Sequence, residues 1–298
     1  MLSTLAFTDA GCKKSESQAE SNCRGAQALS KVPLTGSSMK LKQISLTFDD
    51  GPGLRTVELS AYLKSEGIRA AFFIWGGALK NEGGAAGILQ HLVDDGHLVA
   101  NHTETHRSLT ENKPTALTDQ EIVAELTEVD TAITPFVKDN KWLFRPPYGQ
   151  FDDRVLTVLE GTPMKKYVGP ILWNVGGMMS ETTASDAECW KPETLHTVTD
   201  CGDLYLKEID SVGKGIVLLH DPYFIQQNNP ESGGTYQMVQ YMVPILKSKG
   251  YSFVRVDEVP DIAALLPGGA PAGAADGGEA TPDGTNPEGD GTAVDPCL

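Results

Sequence analysis

Apolar and polar side chains alternate at Ile44, Leu46 and Phe48, the two-residue period of a strand with one face buried. Short apolar runs at 70–74, 98–100, 142–144, 216–219 and 253–256 read as further strands. Between them the period changes to that of a helix. Thr118, Asp119, Gln120 and Glu121 make a capping box, and Ile122, Leu126, Val129 and Ile133 follow on one helical face. Met238, Tyr241, Met242, Ile245 and Leu246 form a second stripe that ends at Gly250. Segments 56–66 and 152–160, stopped by Gly67 and Gly161, follow the same scheme. Strands alternating with helices require parallel pairing and crossover connections, so the pattern predicts an α/β barrel or a doubly wound sheet. No fixed-period repeat interrupts it.

Composition narrows the picture. With 298 residues, 40% of them hydrophobic and 21% charged, the chain can bury a sizeable core. Its net charge of −16 disfavours a phosphate backbone as partner, which argues against binding nucleic acid. No run of apolar residues is long enough to cross a membrane as a helix. Residues 267–298 hold eight Gly, five Pro, six acidic side chains and no Lys or Arg, the composition of a disordered acidic tail. Residues 13–39 are polar and turn-rich and read as a flexible linker. The expected organisation is therefore a targeting and linker segment over 1–39, a working domain over 40–266 and a tail over 267–298.

The five cysteines bear on location. Ala10-Gly11-Cys12, near the start, resembles a bacterial lipoprotein cleavage box apart from Asp9, which makes Cys12 a candidate for lipid attachment. Cys189 and Cys201 would close a short loop as a disulfide, contributing about 3 kcal/mol by chain entropy. Cys23 could pair with Cys297. That usage suits an exported protein, secreted, periplasmic or anchored at the envelope. No cysteine spacing fits a zinc knuckle.

The polar residues that stand out follow the strands directly. Asp49 and Asp50 end the first alternating run, His102 and His106 follow 98–100, Arg145 and Tyr148 follow 142–144, and His220 and Asp221 follow 216–219. Each alone would pass for a turn, a surface pair or a satisfied core group. In a parallel α/β fold, however, the carboxyl ends of the strands share one face, and these groups would meet there. Histidines at i and i+4 can converge on one metal, and a carboxylate from another strand would complete a three-ligand set with an open position. The order His-Thr-Glu-Thr-His is not that of a zincin protease, where the Glu is second. The same ligand types also make a non-haem iron facial triad, but family analogy places that triad on an all-β scaffold. Pro146 and Pro147 fix the backbone after Arg145 and leave the Tyr148 N–H as an available donor.

Thr47-Phe48-Asp49-Asp50-Gly51-Pro52, His102-Thr103-Glu104-Thr105-His106, Arg145-Pro146-Pro147-Tyr148 and Leu218-Leu219-His220-Asp221 resemble, in order, the motifs of the polysaccharide deacetylases, carbohydrate esterase family 4. The resemblance covers about residues 41 to 260. It implies a distorted (β/α) barrel and metal-dependent hydrolysis of acetyl groups on a glycan. By position, Asp50, His102 and His106 would hold a divalent metal, most often zinc in this family, with cobalt or manganese as alternatives. Asp49 would be the general base and Arg145 its orienting partner. The Tyr148 N–H would serve the oxyanion, and protonated His220 the leaving group. One motif departs from the family pattern, which has an Asp-Trp pair before the last His. Here Trp173-Asn174 and Asp186 with Trp190 compete for that place, so the partner of His220 is Asn174 or Asp186 and the pocket wall is Trp173 or Trp190. Pro147, Leu218 and Tyr223 complete the expected substrate contacts, whereas Trp75 and Trp142 read as core. The substrate expected is an acetylated polysaccharide or oligosaccharide, a chitin-type oligomer or peptidoglycan, with acetylxylan or a weakly active carbohydrate-binding pseudoenzyme as alternatives.

Overall fold

The computed structural model describes residues 28–81, 83–110, 116–191, 196–221 and 234–268. β1 (Leu29–Leu34) pairs with β5 (Gly169–Ile171). β2 (Gln43–Gly51), β3 (Ala71–Ile74), β4 (Leu98–Asn101) and β6 (Gly215–His220) lie in the order β4–β3–β2–β6, with β7 (Ser252–Phe253) against the first residues of β2. All of these ladders are parallel. Single bridges continue the circuit: Asn101 to Phe144, Leu143 to Val168, and Val175 to Val217. The result is a distorted (β/α) barrel, continuous through β2 and stitched by isolated bridges on the opposite side.

Helices follow the strands as the alternation predicts. α1 (Thr56–Ser65) comes after β2, α2 (Gly76–Asn81) and α3 (Ala85–Asp94) after β3, and α4 (Asp119–Ile133) after β4. α5 (Asp153–Glu160) precedes β5; α6 (Asp186–Cys189) and α7 (Val198–Val212) follow it. α8 (Gly234–Ser248) and α9 (Pro260–Ala263) complete the order. The Thr118–Glu121 capping box starts α4 as read from the sequence, and Asp152 caps α5 through the Val155 N–H.

Packing follows the two-residue period. Ile44, Leu46 and Phe48 join Phe72, Ile74, Val217 and Leu219 in a layer covered by Leu59, Leu63, Tyr205 and Met242 of the helices. Phe48 and Phe72 stack with ring centres 5.0 Å apart, and each ring so buried contributes about 2 kcal/mol. The opposite face carries Ala71, Phe73, Leu98, Ala100, Leu143, Ile171 and Ile216 into a second cluster, the barrel interior. The intervening polar positions of β2 also lie in that interior. Ser45, Thr47 and Asp49 are 0%, 0% and 2% exposed, so β2 is buried on both faces rather than half-buried as its alternation suggests.

Other readings also change. Leu29–Leu34, placed in the linker by sequence pattern, form β1; only its two ends register with β5, which leaves no alternation to read. Segment 142–144 makes bridges rather than a strand, because left-handed Asp139 and Asn140 precede it and the prolines that follow cannot donate to a ladder. The 253–256 run is strand only as far as Phe253. Beyond it Arg255 bonds to Asp257 and its N–H to Glu258, forming a 3-10 turn over Val256–Glu258. Cys189 and Cys201 are joined as a disulfide that ties α6 to α7. Cys12, Cys23 and Cys297 lie outside the described residues, as do their lipid and pairing assignments. Among the described residues no helix is long and apolar enough to cross a membrane.

Candidate active site

The functional side chains expected from the sequence gather at the carboxyl ends of β2, β4 and β6. The β2–β6 register sets Asp49 opposite His220, and the β3–β4 register brings the end of β4 beside Ile74. Strict alternation would send Asp49 and Asp50 to opposite faces. The β2–β3 register instead slips between Asp49 and Gly51, and Asp50 adopts φ 66°, so both carboxylates reach the same mouth.

Asp50, His102 and His106 present ligand atoms that all lie within 4.8 Å of one another. Oδ1 of Asp50 stands 3.4 Å from Nε2 of His102 and 3.3 Å from Nε2 of His106. The His102 Nδ1–H donates to the Arg145 carbonyl at 2.7 Å; a carbonyl can only accept, so the neutral ring keeps its lone pair on Nε2. Burial pushes the His102 and His106 imidazoles below their ordinary value and the Asp50 carboxyl above its own, against the mutual attraction of the charged forms. Oδ1 of Asp50 is buried and accepts no hydrogen bond among the described residues. Lone pairs facing one another around a buried carboxylate oxygen fit a divalent cation, and three protein ligands are the number that leaves a catalytic position open.

Asp49 lies alongside. Its Oδ1 accepts from Nη1 of Arg145 at 2.6 Å, while Oδ2 is 3.6 Å from Nε2 of His102. Arg145 is fully buried, donates from Nε to the Ile171 carbonyl at 2.9 Å and from Nη1 to Oγ1 of Thr47 at 3.0 Å, and lies 4.1 Å from the centre of the Phe73 ring. A guanidinium fixed on several sides orients one oxygen of Asp49 and leaves the other toward the histidines.

The alternatives for the divergent motif resolve. Asp186 of α6 is the partner of His220: Oδ1 meets Nδ1 at 2.7 Å, and Oδ2 accepts the His220 N–H at 2.7 Å and the Thr235 hydroxyl at 3.0 Å. Burial works against a charged imidazole, but the adjacent Asp186 carboxylate, with Asp50 and Asp49 behind it, pushes His220 up to about 9. Asn174 is structural instead, its Oδ1 accepting from the N–H groups of Gly36 and Ile216 at 2.8 and 3.0 Å. Trp190 packs in the outer core, while Trp173 lies 5.6 Å from the Arg145 guanidinium and against Gly149 of the Tyr148 loop.

Tyr148 is 63% exposed and meets the His106 ring edge-on with centroids 4.9 Å apart. The N–H groups of Gly149 and Gln150 bond to the carbonyls of Pro146 and Pro147, so Tyr148 carries the remaining N–H of that turn. Pro147 is buried, and Leu218 shares the inward face of β6 with Ile216. Trp75, read as core, packs edge-on to His106 at 6.3 Å. Tyr223 lies outside the described residues. Sequence reasoning missed Glu125 and Tyr205. Glu125 accepts the N–H groups of Glu104 and Thr105, and Tyr205 bridges the Asp186 N–H to the Leu218 carbonyl. The signal for Glu125 was a charged residue on the buried stripe of Ile122, Leu126 and Val129.

Residues 36–167 match the family model described as polysaccharide deacetylase, a span that holds Asp49, Asp50, His102, His106 and Arg145. The chain is 29% identical over 231 residues to the peptidoglycan N-acetylglucosamine deacetylase of Listeria monocytogenes, covering 77% of this chain and 41% of that protein. It is 32% identical over 145 residues to chitin deacetylase 1 of Cryptococcus neoformans, covering 49% of this chain and 28% of that one. It thus spans less than half the length of either curated relative. The solved structure of the chitin deacetylase from Colletotrichum lindemuthianum superposes with a TM-score of 0.55 at 26% identity, over 74% of this chain and 88% of that one. By its motifs, its barrel and these similarities, the chain resembles the polysaccharide deacetylases, whose family model it matches over residues 36–167.

Proposed function

We propose that this chain is a metal-dependent hydrolase that removes acetyl groups from an N-acetylglucosamine-containing glycan, a chitin-type oligomer or peptidoglycan. The observation that carries the reading is the meeting, at one mouth, of the Asp50, His102 and His106 set with the Asp49–Arg145 and His220–Asp186 pairs. The N-deacetylases among the relatives support the substrate class. Asp50, His102 and His106 would hold a divalent cation, zinc by preference for two imidazoles and a carboxylate, and the chemistry it would supply there is an acidified water and a polarised acetyl carbonyl.

The remaining work falls to the protein. Asp49, oriented by the Arg145 guanidinium, takes the proton of the attacking water. The Tyr148 N–H stabilises charge developing on the acetyl oxygen. His220, held protonated by Asp186, gives its proton to the departing sugar nitrogen. Trp173 and Tyr148 wall the acetyl group, with Pro147 and Leu218 beneath. A disulfide in the described chain and a wall-type substrate suit an exported protein.

The test is acetate release from an N-acetylglucosamine oligomer by the full chain, first with zinc and then with excess chelator. Zinc-dependent release is expected. No acetate from a metal-loaded chain would overturn the chitin-type assignment and move the search to peptidoglycan and acetylated xylan. Failure to hold metal would leave a carbohydrate-binding protein.

A further inference from the structure

The two histidine ligands belong to a single loop, and the residues between them are held in a conformation the chain would not adopt unaided. Thr103 has φ 68° and His106 φ 57°. A left-handed backbone is costly for a β-branched residue, and such strain persists only where the surroundings over-determine it. Three N–H groups lie between the ligands, and each is taken by a side chain. The Thr103 N–H donates to Oδ1 of Asn101 at 3.0 Å. Those of Glu104 and Thr105 donate to one oxygen of Glu125 at 3.0 and 2.8 Å, while the Thr105 hydroxyl donates to the other.

Glu125 is only 5% exposed and comes from α4, a separate element. Its carboxylate thus occupies a cup made by two successive N–H groups and a hydroxyl. From the other side the loop is pressed onto α2. The Gly76 N–H donates to the Thr103 carbonyl at 3.0 Å, and a Cβ on Gly76 would fall 2.9 Å from the Cα of Glu104. His102 has its own orienting bond to the Arg145 carbonyl, whereas the His106 ring is steadied edge-on by Trp75, His102 and Tyr148. The position of His106 therefore depends on where the loop backbone carries it.

We infer that Glu125 is a positioning residue for the metal centre, its two oxygens templating the His102–His106 loop so that both imidazoles converge on Asp50. It touches neither substrate nor metal and acts through the loop. The inference rests on the reading of Asp50, His102 and His106 as metal ligands. What matters is acceptor oxygen at the right reach rather than negative charge. A glutamine can keep an oxygen on the Glu104 and Thr105 N–H groups and offer its amide to the Thr105 hydroxyl. An aspartate keeps the charge but withdraws the acceptors by one methylene.

The experiment is zinc titration of the metal-freed full chain against a chromogenic chelator, for wild type, His102→Ala, Glu125→Gln and Glu125→Asp. Wild type is expected to bind one zinc, and His102→Ala to lose it. Glu125→Asp should bind about tenfold more weakly, the scale of an outer-shell orienting partner, and Glu125→Gln should stay within about threefold of wild type. Wild-type affinity in Glu125→Asp, or the reverse ranking of the two variants, would overturn the inference while leaving the ligand set standing. A wild-type chain that binds no zinc would instead overturn the ligand set, and the role of Glu125 with it.

Discussion

Two adjacent carboxylates at the end of β2 have different surroundings, which is the basis of the separate roles proposed for them. Asp50 faces two imidazole nitrogens at 3.3 and 3.4 Å and lacks a hydrogen-bond donor for Oδ1 among the described residues. Asp49 is fixed by the Arg145 guanidinium at 2.6 Å. Replacing Asp50 by Asn should therefore weaken zinc binding by more than the roughly 10–100-fold typical of an outer-shell change. Asp49→Asn should keep zinc within a few-fold and lower kcat by about 100-fold or more, as expected when a general base is lost. Zinc competition alongside acetate release separates the two effects, and equal loss of metal in both variants would sink this division of roles. Sequence suggested both residues as site candidates, since they directly follow an alternating strand. That they reach the same face depends on a register slip and a left-handed Asp50, which residue types alone do not announce.

At the scale of elements, α6 and α7 form a support for His220. The disulfide Cys189–Cys201 joins them three residues beyond Asp186, Tyr205 of α7 holds the Asp186 N–H at 3.0 Å, and Glu208 of α7 accepts from Gly176 and Ala184 at 3.2 and 2.8 Å. The carboxylate so held keeps His220 protonated at neutral pH, up to about 9. Asp186→Asn removes the charge that raises that group while burial, which lowers it, remains. The alkaline limb of the kcat profile should then move to lower pH, with KM little changed, as a pH series of acetate release would show. An unmoved limb would mean that another group titrates there. The cysteine spacing suggested this disulfide, but the sequence could not choose Asp186 over Asn174. The choice depends on which loop folds back over β6, and contacts between segments far apart in the chain decide that.

For the molecule as a whole, acid should act partly through a buried histidine remote from the site. His97, 3% exposed, accepts the Ala70 N–H on Nδ1 at 3.0 Å, with Nε2 3.2 Å from the Ser60 carbonyl, so it is held neutral where α1, β3 and β4 meet. Burial lowers it from its ordinary 6.5, against the Ser60 contact and Asp95, with Arg255 and Lys64 adding to the lowering. The unfolded chain then takes up a proton below about pH 6.5 that the folded chain refuses, so this stability is complete above that pH and drains away below it. In His97→Asn, whose Oδ1 can take the place of Nδ1, the stability deficit relative to wild type should be largest at pH 7.5 and shrink toward pH 5. Urea midpoints across that range check it, and a gap independent of pH would exclude the mechanism. By itself the sequence determined an α/β fold of parallel strands and crossover helices, most strand and helix positions and which polar residues follow the strands, because hydrophobic period and strand-end chemistry are local. Tertiary structure decided that β2 is buried on both faces, that β1 belongs to the fold, that Asp186 serves His220, and that Glu125 reaches the ligand loop. Each of these depends on a contact between distant segments, whose energy no local pattern records.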